Sequence, residues 1–148
     1  MRFFVALAGL FLTLGLVGCD SKLEGDVWPL VEDCDLHQQT CRSQQADARA
    51  SLTLSPQPIP IAKPIQVNVL LEQLEAEKLE LDISGINMYM GYNRVTLKPD
   101  TDNPDRYQGQ TMLAFCTNEV MHWQLTLLVH QADGQVSQIP FKLETRNR

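Results

Sequence analysis

Through most of the chain apolar residues recur at every second position, the spacing of a strand with one buried face. Ala48, Ala50, Leu52 and Leu54 alternate with Arg49, Ser51 and Thr53, and Ile65, Val67, Val69 and Leu71 alternate with Gln66, Asn68 and Leu70. Between them lies PQPIPIAKP, where Pro56, Pro58, Pro60 and Pro64 bar a central strand or helix because proline has no backbone N–H. The run EQLEAEKLEL has a helical composition, yet alternation returns at Leu79, Leu81 and Ile83, which predicts a turn followed by a strand over 78–84. Further strands are expected over 93–98, over 107–115, through Trp123, Leu125, Leu127 and Val129, and over 135–144 after the Asp133-Gly134 turn. About seven short strands and no long helix predict an all-β, immunoglobulin-like β-sandwich occupying 48–148.

The N-terminus breaks this pattern. Phe3 to Val17 is an uncharged apolar run of fifteen residues behind Arg2. As a helix it spans roughly 22 Å, short of the ~30 Å hydrocarbon core, so a secretory signal over 1–18 is expected rather than a membrane span. The run ends in Leu16-Val17-Gly18-Cys19, which resembles the bacterial lipoprotein signal. That resemblance implies cleavage before Cys19 and acylation of its sulfur and new amino group; two or three acyl chains anchor stably. Asp20 resembles the sorting residue that keeps a lipoprotein in the inner membrane, facing the periplasm, with the outer membrane as the alternative where sorting rules differ. Residues 19–31 then read as a lipidated tether and 32–47 as a cysteine loop.

Charge narrows the partners. Loss of residues 1–18 removes only Arg2, leaving 11 basic against 18 acidic residues, a net charge of −7. An acidic domain is a poor partner for nucleic acid or anionic headgroups, so the acyl chains must hold the membrane.

With Cys19 committed to lipid, Cys34 and Cys41 lie close in sequence in an oxidising compartment and most simply form a local disulfide. A metal or redox site using His37 between them is the alternative, but six intervening residues are too many for a thioredoxin-like pair. Cys116 is left without a partner.

Methionine supplies the candidate chemistry. Met88 and Met90 flank Tyr89 and share one side of an extended segment, and Gly91 permits a turn. Cys116, Met121 and His122 follow at a connection expected at the same end of the sandwich. Thioether and thiolate are soft ligands that select Cu(I), so Met88, Met90, Cys116, Met121 and His122 form a candidate Cu(I) site. The bland alternative is that these residues fill core gaps.

MYMG, RYQGQTML and MHWQLTLLV, within 88–129, resemble pieces of the periplasmic YtkA-like and FixH-like β-sandwich families. That resemblance implies copper handling or cytochrome oxidase assembly; the cysteine in FCTNEVMHW and the Cys34–Cys41 head are additions to it. The leading expectation is a membrane-anchored lipoprotein that binds or delivers Cu(I), serving a membrane copper enzyme or assembly factor. The second is a metal-free binding or assembly module using Tyr89, Tyr92, Arg94 and Trp123 as a contact patch. No enzyme is expected: Cys116 with His122 lacks a third group to orient the imidazole, and no phosphate loop, dinucleotide fingerprint or HExxH motif is present.

Overall fold

A computed structural model describes residues 25–91 and 93–147. Eight antiparallel strands and no helix make up these residues: β1 (Cys41–Gln45), β2 (Ala48–Ser55), β3 (Ile65–Glu72), β4 (Lys78–Gly85), β5 (Asn93–Pro99), β6 (Arg106–Thr111), β7 (Val120–His130) and β8 (Val136–Arg146). Their order across the sheet is β1-β2-β3-β6-β5-β4-β7-β8. Only Lys98↔Gln108 and Pro99↔Tyr107 join β5 to β6, so the sheet divides there into two halves. Leu52, Val67 and Val69 from one half and Leu81, Leu125 and Phe141 from the other enter a single core cluster. The expected all-β, sandwich-like fold is therefore present. Alternation explains it: in β3, Ile65, Val67, Val69 and Leu71 are buried while Gln66 and Asn68 face outward. Each such side chain contributes about 1.5–3 kcal/mol on leaving water.

Two boundaries differ from the sequence reading. Residues 26–31 belong to the fold rather than to a tether. Val27 and Val31 bridge Gln138 and Phe141 in parallel, and Trp28 is only 3% exposed. The Asp26 carboxylate accepts hydrogen bonds from Ser137 Oγ (2.7 Å), Gln45 Nε2 (2.7 Å) and Trp28 Nε1 (3.0 Å). It therefore ties β8 toward β1 and nearly closes the sheet, covering edges that would otherwise be open to other strands. The second difference is β1, which lies inside the predicted cysteine loop; its buried positions are Cys41 and Ser43, which do not read as an apolar face. The signal peptide, Cys19 and Asp20 lie outside the described residues.

Cys34 and Cys41 form the expected disulfide, with Cα atoms 5.7 Å apart. Closing this short loop stabilises the fold by about 2–3 kcal/mol on the chain-entropy account. His37, inside the loop, accepts the Ile59 backbone N–H at Nδ1 (3.0 Å), so Nε2 carries the proton and donates to the Glu144 carbonyl (2.7 Å). One imidazole thus fastens the cysteine loop to the proline-rich segment and to β8.

Candidate functional site

The β4–β5 connection (86–92) and the β6–β7 connection (112–119) meet at one end of the sandwich. They do so because β4 and β7 pair in register through Gly85↔Trp123. Asn93, opening β5, donates from Nδ2 to the Met112 carbonyl (2.9 Å) and accepts Thr111 Oγ1 at Oδ1 (3.3 Å).

Two asparagines hold the connections in place. Asn87 extends the β4–β7 ladder with its side chain: Nδ2 donates to the Val120 carbonyl (2.9 Å), and Oδ1 accepts the His122 N–H (3.0 Å). The Ile86 N–H donates to the His122 carbonyl alongside (2.8 Å). Asn147, just past β8, donates from Nδ2 to the carbonyls of Cys116 (2.8 Å) and Asn118 (2.7 Å), and its backbone N–H reaches the Glu119 carbonyl (2.9 Å).

Gly85 permits the close fold of the first connection. A Cβ there would stand 2.1 Å from the Met88 carbonyl oxygen, 3.2 Å from Met90 Cγ and 3.4 Å from Met121 Cε. The side chains of Met90 and Met121 therefore reach one point above Gly85. The Cys116 thiol donates to the Met88 thioether, Sγ to Sδ 2.9 Å. Cys116 is 4% exposed and Met121 fully buried, while Met88 and Met90 are half-buried against the core. Gly91, at φ +76°, makes the turn into β5 that the sequence called for.

Of the five proposed ligands, Met88 and Cys116 touch through sulfur, and Met90 Cγ and Met121 Cε both lie beside Gly85. His122 joins neither pair. It stands on β7 between Met121 and Trp123, whose side chains point inward, so its own points outward, with Nδ1 3.7 Å from Glu144 Oε2. The proposed contact patch also separates. Tyr89 is 84% exposed, but Trp123 is 2% exposed and donates from Nε1 to Thr145 Oγ1 (2.8 Å), a core role. Arg94 pairs with Asp82 on the outer face (Nε–Oδ1 3.0 Å), and Tyr92 lies outside the described residues.

Sequence reasoning missed Gly85, Asn87 and Asn147. A glycine closing a strand pattern is a recognised sign of close backbone approach, so Gly85 carried a readable signal. The asparagines act on main-chain groups about 30 residues away and leave no local pattern.

The chemistry of the cluster is that of soft donors. Among the described residues no three His, Cys, Asp or Glu side chains come together to hold an ion. The fold and the site define a small all-β domain with a thiol and a thioether in contact between two connections at one end, and the side chains of Met90 and Met121 beside Gly85. No family model and no curated protein matches the chain.

Proposed function

We propose that the domain binds one Cu(I) through Cys116, Met88, Met90 and Met121, and that it passes the ion to a copper enzyme or assembly factor of the same membrane. Anchoring through acylated Cys19, on the inner membrane and facing the periplasm, belongs to the same reading. The observation that carries the metal is the 2.9 Å approach of Cys116 Sγ to Met88 Sδ, with Met90 and Met121 over the adjacent glycine. Soft sulfur donors favour Cu(I), and thioethers keep their affinity in moderate acid because they lose no proton. For Cys116 and Met88, the pair whose sulfurs touch, binding the ion asks for one adjustment. Two sulfurs each about 2.3 Å from a shared ion at tetrahedral to linear angles stand roughly 3.7–4.6 Å apart. The thiol–thioether contact must therefore open by about 1 Å, which the three rotatable bonds of Met88 allow. The likeness of MYMG, RYQGQTML and MHWQLTLLV to copper-handling periplasmic domains supports the same conclusion.

The test is a Cu(I) titration against a chromogenic competitor for the wild type, Met88→Leu, Met90→Leu and Cys116→Ser. Leucine conserves most of the volume of methionine, so Met88→Leu costs less than about 1.5 kcal/mol of stability. Each variant should nevertheless lose at least tenfold in Cu(I) affinity. Equal affinities in all four, or no stoichiometric binding by the wild type, would leave the metal-free assembly module as the better account.

A further inference from the structure

The outer face of the half made by β1, β2, β3 and β6 carries a groove of about 740 Å³. Arg42, Ser51, Leu70 and Arg106 stand side by side across these four strands and line it. Ser51 is the small member of the row, and Arg49 lies two residues before it on the same strand and face. Longer side chains therefore surround the serine, which is only 7% exposed although it points away from the core. Among the described residues its hydroxyl has no hydrogen-bond partner, and neither Arg42 nor Arg106 has an ion pair. A nearly buried hydroxyl and two guanidinium groups thus share one concavity with donors to spare. Three arginines line the groove against one carboxylate, Glu72, a local +2 in a chain whose net charge is −6. Glu72 reaches Arg49 only at 4.0 Å, with both side chains about half exposed, a pair that contributes little. Asp105 and Asp100 lie outside the groove, Asp100 holding Gln108 Nε2 (2.9 Å). The adjacent row is uncharged: Thr53, Asn68 and Gln108 stand side by side, and Thr40 joins Thr53 through their hydroxyls (2.6 Å).

We propose that this groove binds a short acidic oligosaccharide. Arg42, Arg49, Arg106 and the Ser51 hydroxyl hold a carboxylate, and the Thr53–Asn68–Gln108 row reads ring hydroxyls. The proposal does not rest on the Cu(I) reading. Four features select this ligand. Guanidinium groups give planar oxyanions charge-assisted, bidentate hydrogen bonds. Amide and hydroxyl side chains both donate and accept, as sugar hydroxyls do, and Leu70, half-buried beside Ser51, offers apolar contact to the face of a ring. The main chain under the groove is spent on the ladders of four paired strands, so an extended peptide finds no strand edge to join there. The aromatic ring of Tyr107 is buried, with its hydroxyl on the Ala76 carbonyl (3.3 Å), so a nucleobase has nothing to stack on. Overall acidity sets the length. A short ligand in the groove feels mainly charges within the Debye length, about 10 Å at 0.1 M salt, where the local sign is positive. A nucleic acid or an anionic membrane meets the whole acidic body and is repelled. The volume lies within the roughly 300–1,000 Å³ of small-molecule sites, but its lining is polar, which a polar ligand of two or three rings matches.

Calorimetric titration of the intact protein in a non-ionic detergent tests this with trigalacturonic acid, its methyl ester, inorganic phosphate and glycerol phosphate. The acid should bind one to one. The ester keeps every ring and loses the charge, so it should bind at least roughly tenfold more weakly. Arg42→Gln/Arg106→Gln should lower affinity for the acid by a similar factor and Ser51→Ala by about threefold, both with thermal stability unchanged. Lys98→Gln/Lys142→Gln makes the same change in net charge outside the groove and should leave affinity within about twofold. No binding of the acid, equal binding of acid and ester, or equal losses in the two double variants would overturn the proposal. Tighter binding of either phosphate than of the acid, lost with Arg42 and Arg106, would also overturn it. The groove would then belong to free phosphate if inorganic phosphate bound, and to a phospholipid headgroup if only glycerol phosphate did.

Discussion

Gly85→Ala is the smallest change that tests how the methionine-bearing connection is folded. The added carbon would sit 2.1 Å from the Met88 carbonyl oxygen, where ordinary contact begins at 3.4 Å. That oxygen is backbone and has no rotamer to escape into, so the connection itself must retreat by roughly 1 Å, and overpacking of this kind costs about 1–3 kcal/mol. Retreat also misaligns the two side-chain bonds of Asn87 and the Ile86–His122 bond, each worth a net 0.5–1.5 kcal/mol or so. A loss of about 3 kcal/mol is expected, or roughly 10 °C in Tm for a domain of this length. Urea unfolding is the assay, with the midpoint falling and the slope unchanged. Gly134→Ala is the control. Its φ of +84° makes alanine strained, but nothing stands within 4 Å of the new carbon and the site lies at the other end of β7. It should lose about 1 kcal/mol and leave Cu(I) affinity untouched, whereas Gly85→Ala should lower both. Wild-type stability in Gly85→Ala, to within about 0.5 kcal/mol, would refute the folded-back connection.

Alkylation of protein lacking Cys19, in denaturant without reductant, should add one label, at Cys116, and three after reduction; three labels before reduction would contradict the Cys34–Cys41 pairing. Cys19→Ala should abolish partitioning into detergent, and normal partitioning would remove the anchor from the proposed function. Glu80 should govern the acid limb of stability. Burial acts to raise its pKa, but hydrogen bonds from Lys78 and His130 outweigh that and hold it below the ordinary 4.5. A depressed carboxylate stabilises the fold above its unfolded pKa, and that stabilisation fades as pH falls through the folded value. The stability gap between wild type and Glu80→Gln should therefore narrow below about pH 4.5; a gap constant with pH would count against it.

Alternation made seven of the strands legible, because a half-buried strand writes its two faces into the sequence. β1 escaped because its buried positions hold Cys41 and Ser43, so the period was present without an apolar signal. The misplacement of His122 has a boundary as its cause. Starting the strand at Trp123 left 121 and 122 in a connection, where both side chains were free to face the cluster. The strand begins at Val120, and alternation then sends Met121 inward and His122 outward. The same boundary put Trp123 in a contact patch rather than in the core. Met88 and Met90 lie in a bent connection rather than a strand, so their spacing alone does not fix a shared side. What no local pattern could supply was the closeness of Met88 to Cys116, 28 residues on, since main-chain bonds from Asn87 and Asn147 create it.

The thiol in this cluster has a consequence that three thioethers alone would not. Cys116 Sγ lies 2.9 Å from the Met88 sulfur. A thiolate, not a thiol, binds metal, so Cu(I) entering the site must expel the thiol proton, while Met88, Met90 and Met121 have none to lose. Affinity should then rise tenfold per pH unit for as long as the free protein keeps its thiol protonated, about a hundredfold over two units. In Cys116→Met, which keeps a soft donor and comparable apolar character, the dependence should vanish even if affinity at one pH is similar. Competition titrations at three pH values, corrected for the competitor's own protonation, read this directly. A flat wild-type profile would mean that the thiol is not a ligand and that any copper is held by methionines alone. A slope of one that disappears with Cys116 would tie binding to the atom that the 2.9 Å contact places beside Met88.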